Sequence, residues 1–325
     1  MNTPRRRLMT AGISIAVVAP VVSRAQGAWP GDRPIQIIVP FPPGGGTDVN
    51  LRAMAPFFEK HLPGARFIVV NRPGVGAEIG YTAMATAAPD GLTIGTVITP
   101  SLQTITIERT PRYTLRDFAY LGSIVEDPSG FHVAPNSPIR TVADLVRAAQ
   151  AAPGAIAVGT AGIGSDDHLL MIAFENAAGV RLNHVPFAGQ SPTVNALIGG
   201  HIQVASMNMG ESVGLIRDGQ VRGLASAGPA RFPMTPDVPT FTEAGYPIDT
   251  RVVRSLVVPA ATPAPIIARL ELMVAETMRD PAWIAEAARL FIPIKYRSAE
   301  GTREIVFNED AALRALWARH PWKDS

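Results

Sequence analysis

The feature that most constrains the fold is a unit of strand, glycine-rich loop, helix and strand that occurs twice along the chain. The strands of the two copies are predicted at 35–39 and 67–70 and at 155–158 and 181–185, and the helices at 48–61 and 167–178. Strand-like apolar runs that alternate with helical periodicity predict α/β layers with parallel strands, not a β-sandwich or a helix bundle. Because the unit repeats, we expect two similar α/β lobes.

Further elements fill the space between and after the two units. Helices are predicted at 141–151, 193–198, 266–278, 281–290 and 302–319, and strands at 203–206 and 256–259. The strand at 256–259 is expected to return to the first lobe. We therefore predict that residues 26–126 and 250–325 form lobe 1, and that residues 127–249 form lobe 2.

The N-terminus has the layout of an export signal. Arg5, Arg6 and Arg7 precede a mostly apolar stretch, and small residues surround Arg24 at the position that an export peptidase reads. We predict a signal peptide over residues 1–25, cleaved after Ala25, and hence a periplasmic protein. The arginines also resemble a twin-arginine signal, and an uncleaved anchor is the alternative to cleavage.

The charge of the chain depends on this leader. The whole chain has 29 basic and 27 acidic residues, but the first 25 residues contain four arginines and no acid. The remaining chain is therefore slightly acidic, which argues against a nucleic-acid partner. The chain has no cysteine, which excludes disulfides and thiolate metal sites.

The first glycine-rich loop is the strongest local signal. Gly44, Gly45 and Gly46 follow the first strand and precede Thr47 and Asp48 at the predicted start of a helix. Such a loop exposes backbone N–H groups, and the helix N-terminus adds partial positive charge, so an anion such as a carboxylate is favoured. The alternative is a tight connection, capped by Thr47 or Asp48, that holds only water.

The second loop, residues 159–165, is also rich in glycine and again joins a strand to a helix. Thr160 and Ser165 carry hydroxyl groups that are able to donate to an oxyanion. Loops at the carboxyl ends of strands in open α/β sheets line ligand sites, so two lobes would present two such loops to one cleft. Neither loop has the spacing of a nucleotide-binding motif.

Other chemistry is less well supported. Asp166, Asp167 and His168 could suggest a metal site, but acids are ordinary in the first turn of a helix, and no metal is predicted. The other histidines show no ligand spacing: His61, His132, His184, His201 and His320. The GxSxG motif of hydrolases is absent, so we do not expect the protein to be an enzyme. The sequence leaves open a catalytic triad whose residues lie far apart along the chain.

Several short motifs, in this order, resemble the Bug family, the extracytoplasmic solute receptors of tripartite tricarboxylate transporters. In the first part of the chain they are Trp29-Pro30, Arg33-Pro34-Ile35, Val39-Pro40-Phe41, Gly44-Gly45 with Asp48, Asn71-Arg72-Pro73-Gly74 with Gly76, and Ala88-Pro89-Asp90-Gly91. In the second part they are residues 159–168, His184-Val185-Pro186-Phe187, Asp237-Val238-Pro239-Thr240 and Glu243-Ala244-Gly245. The resemblance covers essentially the whole chain after the leader.

The resemblance implies a two-lobe periplasmic-binding-protein fold, similar to type II, with a mixed or parallel sheet flanked by helices in each lobe and a ligand cleft between the lobes. It implies that two loops hold a ligand carboxylate, which points to Phe41, Gly45, Gly46, Thr47, Asp48, Thr160, Ala161, Ser165, His168 and Asn208. It further implies a monomer without a cofactor, whose partners are a small carboxylate or amino-acid ligand and the permease subunits of a transporter.

The chain departs from the family pattern at two places. Phe187-Ala188-Gly189-Gln190 replaces a common Tyr-x-Gly-Gly, and Asp166-Asp167 replaces residues that are more often uncharged. Added acids would repel a tricarboxylate, so we expect a smaller, less negative ligand, with Asp48 available to an ammonium group. Two other functions stay open: a sensor of the same fold that signals to a membrane kinase, and a secreted hydrolase.

Overall fold

The computed structural model describes residues 29–319 and 321–322, so the predicted signal peptide lies outside the described residues. The strands are β1 (Ile35–Val39), β2 (Phe67–Asn71), β3 (Thr93–Thr99), β4 (Phe118–Val133), β5 (Ala157–Thr160), β6 (Asn183–Pro186), β7 (Val204–Asn208), β8 (Arg222–Ser226), β9 (Arg251–Pro259) and β10 (Ile294–Arg297). The helices are α1 (Gly46–His61), α2 (Glu78–Ala85), α3 (Ser101–Glu108), α4 (Val142–Ala151), α5 (Asp166–Ala178), α6 (Gln190–Ile198), α7 (Met209–Arg217), α8 (Ala264–Arg279), α9 (Pro281–Arg289) and α10 (Ala299–Arg319). Short 3₁₀ turns span Val75–Ala77 and Leu115–Asp117.

The strands form one curled, mixed sheet in the order β2-β1-β3-β9-β4-β7-β5-β6, and β8 and β10 also pair with β4. The long strand β4 joins two parts of this sheet. Its residues 118–128 pair with β9, whereas residues 129–133 pair with β7 and β8. We call β1–β3, β9, β10 and the first part of β4 the first sheet segment, and β5–β8 with the rest of β4 the second.

The first sheet segment is covered by helices on both faces. Side chains alternate between the faces along a strand. Accordingly, Ile37 of β1 packs with Phe58 and Trp283 of α1 and α9 on one face. Its neighbour Ile38 packs with Tyr81 and other residues of α2, α3 and α10 on the opposite face. Such strands, buried on both faces, read as continuous apolar runs in the sequence.

The second sheet segment is built in the same way. Phe131 of β4 meets Phe174 of α5 and Phe241 edge-on, with ring centroids 5.3 and 5.2 Å apart. On the other face, Met207 of β7 packs with Leu197 of α6. In both segments the glycine-rich loops leave the carboxyl ends of parallel strands, β1 and β5, and enter the helices α1 and α5.

The described residues contain no helix that is both long and apolar enough to cross a bilayer. Within the two repeated units, the observed elements agree with the predicted ones to within about two residues. The strands β3, β4, β8 and β10 were not predicted, and neither were the helices α2, α3 and α7.

Candidate functional site

The loop between β1 and α1 is held in shape by Asp48. One carboxylate oxygen accepts a hydrogen bond from the Gly44 N–H at 3.0 Å, and the other accepts from Arg52 Nε and Asn71 Nδ2, both at 2.9 Å. Burial alone would raise the pKa of Asp48, but these hydrogen bonds and the Arg52 charge lower it. Because Arg52 already neutralises Asp48, the expectation that this carboxylate is available to an ammonium group does not fit the structure.

The N-terminus of α1 has no side-chain cap. Its N-cap residue is Gly45, which has no side chain to cap the first turn, and the Glu211 carboxyl group of α7 approaches Gly46 there. Each helix begins with N–H groups that lack an intrahelical partner, and together with the helix dipole they attract an anion. Gly45, Gly46 and Thr47 all line a cleft between the two sheet segments.

The loop between β5 and α5 satisfies its own hydroxyl groups. Ser165 Oγ donates to the Gly162 carbonyl at 2.8 Å and accepts from the His168 N–H at 3.2 Å, so it caps α5. Thr160 Oγ1 hydrogen-bonds to the same Gly162 residue and lies 2.7 Å from His184 Nε2. The expectation that both hydroxyls donate to a bound oxyanion therefore has to be corrected, since here they fix the backbone of the loop.

Two stacked histidines lie behind this loop. The rings of His168 and His184 are 3.8 Å apart and within 6° of parallel, and His168 Nδ1 accepts a hydrogen bond from the Gly164 N–H at 3.1 Å. Burial lowers the pKa of His168 to about 3, with the His184 ring adding to the effect, and burial lowers that of His184 to about 4. Both rings are therefore neutral at physiological pH, and they position the loop from outside the cleft.

A third loop of the second sheet segment meets the first loop across the cleft. A Cβ atom added to Gly189 would lie 3.5 Å from Pro42 Cδ and 3.7 Å from Phe41 Cδ1. Gly189 has a φ of +118° and is the N-cap of α6, which also lacks a side-chain cap. The uncapped N-termini of α1 and α6 therefore lie at the same cleft.

The cleft has two adjoining chambers, of about 50 and about 450 Å³, which share Gly45, Gly46, Gln190, Glu211 and Arg254. Seven of the ten predicted ligand residues line the smaller chamber: Phe41, Gly45, Gly46, Thr47, Ala161, Ser165 and Asn208. Asp48, Thr160 and His168 do not line it, and they instead brace the two loops.

The charged residues of the cleft are mostly acids. Three acids line the smaller chamber: Asp166, Asp167 and Glu211. Among the described residues that line it, Arg254 is the only cation. Arg254 is 4% exposed and pairs with Glu211. Burial raises the pKa of all three acids; for Asp167 the neighbouring charges of Asp166 and Glu211 raise it further.

Sequence reasoning missed the residues that join the two sheet segments electrostatically. Arg254 is a charged residue within the apolar strand β9. Because a buried charge is costly unless it is paired, its position in such a run indicated a partner elsewhere in the chain. Glu211 lies in the first turn of α7, where an acid is ordinary, so its sequence position gave no sign of a role. Gln190 was noticed only as a departure from a family pattern.

Two alternatives to the cleft carry less weight. A cavity of about 810 Å³ lies between α4, β8 and the segment around Asp237, and neither glycine loop reaches it. Among the described residues, no group of three or more acids or histidines has the arrangement of a metal site.

Comparisons with known proteins find a receptor family and relatives that cover most of the chain. The family model described as the tripartite tricarboxylate transporter family receptor matches residues 51–312. Protein BugT of Bordetella pertussis is 33% identical over 253 residues, which cover 74% of this chain and 74% of BugT.

Solved structures also match most of this chain. A TctC solute-binding protein from Polaromonas is 31% identical, with a TM-score of 0.67 over 90% of this chain and 100% of that one. A protein from R. palustris, solved with adipate, is 27% identical, with a TM-score of 0.83 over 89% of this chain and 97% of that one.

Proposed function

This chain belongs to the tripartite tricarboxylate transporter receptor family, and we propose that it captures a small solute with a carboxylate group in the cleft and presents it to the membrane subunits of a transporter. Receptors of this family are periplasmic solute-binding proteins.

The observation that carries the carboxylate is the pair of uncapped helix N-termini. Gly45 begins α1 on one side of the cleft and Gly189 begins α6 on the other, and neither helix has a side-chain cap. Unpaired backbone N–H groups that face an enclosed space favour an anion of carboxylate size. The structure of the R. palustris relative with adipate supports the same class of ligand.

We propose different roles for the ten predicted residues. Those that line the smaller chamber, together with Gln190, would contact the ligand, whereas Asp48, Thr160 and His168 would hold the two loops in a binding geometry. Backbone N–H groups would supply most of the contacts to the carboxylate, because the Thr160 and Ser165 hydroxyls already have partners.

The arrangement in the cell is also part of the proposal. We propose export by the signal at residues 1–25, with cleavage after Ala25, and a mature protein that is a monomer. Residues 26–126 with 250–325 and residues 127–249 would form two lobes that close around the ligand, with β4 and β9 as the crossing strands. The receptor would release its ligand chemically unchanged, without catalysis.

A thermal-shift screen of mono-, di- and tricarboxylates and amino acids tests the proposal. A ligand that binds only the native state raises its stability by about 2.7 kcal/mol at a hundred times the dissociation constant, so a true ligand gives a clear rise in melting temperature. Calorimetry then gives the stoichiometry, for which we expect one. If no compound with a carboxylate shifts the transition, the proposed ligand class is wrong.

A further inference from the structure

The cleft combines one region suited to an anion with another that is strongly acidic. The region suited to an anion consists of the uncapped starts of α1 and α6 at Gly45 and Gly189. The acidic region consists of the carboxyl groups of Asp166 and Asp167, at the start of α5, and of Glu211, at the start of α7. Both regions line the same chamber, so a single ligand would meet both.

The acids of the cleft exceed the cations by a wide margin. The described residues that line the two chambers include Asp127, Asp166, Asp167, Asp218 and Glu211, whereas Arg254 is the cationic residue among them. Arg254 already forms an ion pair with Glu211. The other four form no ion pair among the described residues, although Asp166 accepts hydrogen bonds from Ser129 and Asn208, and Asp167 accepts from Ser206 and the Ala161 N–H. Buried charges are normally paired, so a cation of the ligand would fit beside them.

Asp127 provides an independent sign that a donor is expected here. It is fully buried and lines the larger chamber, beside Glu211 and Arg254. One oxygen accepts a hydrogen bond from the Gly210 N–H at 2.8 Å, but Oδ2 has no partner among the described residues. An unpaired carboxylate oxygen in a buried site is costly, and a ligand that donates hydrogen bonds would relieve that cost.

We infer that the ligand is zwitterionic: an aminocarboxylate whose carboxylate lies at Gly45 and Gly189 and whose ammonium group lies among Asp166, Asp167 and Glu211, the last of which extends to Gly46. This inference rests on the proposed function and names the ligand class for the same site. An ammonium group carries three donors and a positive charge, which matches the surplus of acceptors and negative charge. A second carboxylate at the same place would face several anions within a poorly solvated space, and this repulsion would disfavour a dicarboxylate.

The inference predicts that this chain does not bind adipate as the R. palustris relative does. The acids at 166 and 167 both follow the N-cap Ser165 directly, so they lie in the first turn of α5. There they compensate the positive end of the helix and remove one place where a second carboxylate could bind. Selection by such a repulsive element is a common way to obtain specificity.

Calorimetry with three matched sets of ligands tests the inference on the purified protein. Each set shares a carbon chain: alanine, propionate and malonate; 4-aminobutyrate, butyrate and succinate; 6-aminohexanoate, hexanoate and adipate. In every set in which any member binds, we expect the aminocarboxylate to bind at least tenfold more tightly than the other two. A tighter dicarboxylate in any set overturns the inference and leaves the proposed function standing. Failure of all nine to bind also overturns the inference, whereas the proposed function fails only if no carboxylate in the thermal-shift screen binds.

Two variants test the residues. Asp167→Asn should reduce the preference for the aminocarboxylate over the dicarboxylate of the same length by at least tenfold, and Asp166→Asn should act in the same direction if Asp167→Asn does not fold. Asp32→Asn, on the exposed surface near the start of β1, is the matched control and should leave the preference unchanged. A preference that is the same in wild type and in the folded Asp167 or Asp166 variant overturns the assignment of these acids.

Discussion

The imidazole rings of His168 and His184 stack 3.8 Å apart, and through His168 Nδ1 and Thr160 Oγ1 they hold both ends of the second glycine loop. Burial keeps the pKa of His184 in the folded protein near 4, below the usual value of about 6.5. In this pH range the native state binds fewer protons than the unfolded state. The free energy of unfolding therefore does not depend on His184 above pH 6.5, and protonation of His184 in the unfolded state lowers it as the pH falls toward 4.

His184→Phe should make the protein less sensitive to acid. The variant keeps an aromatic ring against His168 but removes one group that titrates, so its loss of unfolding free energy between pH 6.5 and 4.5 should be smaller by about 1 to 2 kcal/mol. Urea unfolding at several pH values measures this difference. The exposed His201 provides the control, since His201→Asn should follow the wild type, and parallel curves for wild type and His184→Phe would contradict the prediction.

Ser165→Ala should weaken both the fold and ligand binding, although Ser165 has no free hydroxyl for the ligand. Loss of the N-cap of α5 is expected to cost about 1 kcal/mol of stability, and the Gly162 carbonyl loses one of its donors. Because the loop then loses its fixed geometry, we expect a weaker affinity in calorimetry, by fivefold or more.

Thr141→Ala is the matched control for Ser165→Ala. Thr141 caps α4 through the Asp144 N–H, away from the cleft, so its loss should cost a similar amount of stability without changing affinity. Equal affinity in both variants would show that the second loop does not contribute to the site.

Much of the fold was predictable because its information is local. The apolar run of β1 and the helices α1 and α4 each depend on neighbours in sequence, and the predicted elements agree with them closely. The long strand β4 was not recognised, because it carries polar residues where it passes from one sheet segment to the other. Ser129 of this strand, for example, donates to Asp166 of α5.

The site was predictable in part for the same reason. The glycine loops are local signals, and their residues line the cleft. What the sequence did not provide is the direction of side chains. Asp48 faces Arg52 instead of the cleft, and Glu211 reaches Arg254 from another sheet segment, 43 positions away along the chain. Contacts of this kind depend on the tertiary arrangement, which periodicity and spacing do not determine.

Asp127→Asn should stabilise the ligand-free protein, and increasingly so as the pH rises. Burial raises the pKa of Asp127 to about 7 in the folded state, whereas the ordinary pKa of an aspartate is 3.8. Between these values the native state binds more protons than the unfolded state, so unfolding free energy falls as the pH rises. Asparagine keeps an acceptor for the Gly210 N–H and has no charge to bury.

Urea unfolding of wild type and Asp127→Asn at pH 4, 6 and 8 measures this effect. We expect a gain of about 1 to 3 kcal/mol at pH 8 and little difference at pH 4, with the gain levelling off above pH 7. A variant that is equally stable at all three pH values relative to wild type would mean that Asp127 ionises as easily in the folded state as in the unfolded state.

Gly46→Ala should weaken ligand binding through Glu211. A Cβ at residue 46 would overlap the Glu211 carboxyl group, so the Glu211 side chain would have to move away from the start of α1. The two sides of the cleft would then lose their contact at this point. We expect at least a tenfold weaker affinity, measured by calorimetry, with a melting temperature close to that of the wild type.

Gly301→Ala is the control for Gly46→Ala, since residue 301 also lies in the first turn of a helix but has only ordinary contacts around its added Cβ. That change should raise stability by up to about 1 kcal/mol and leave affinity unchanged, because alanine favours a helix over glycine. Wild-type affinity in Gly46→Ala would show that the ligand-bound protein keeps Glu211 away from α1.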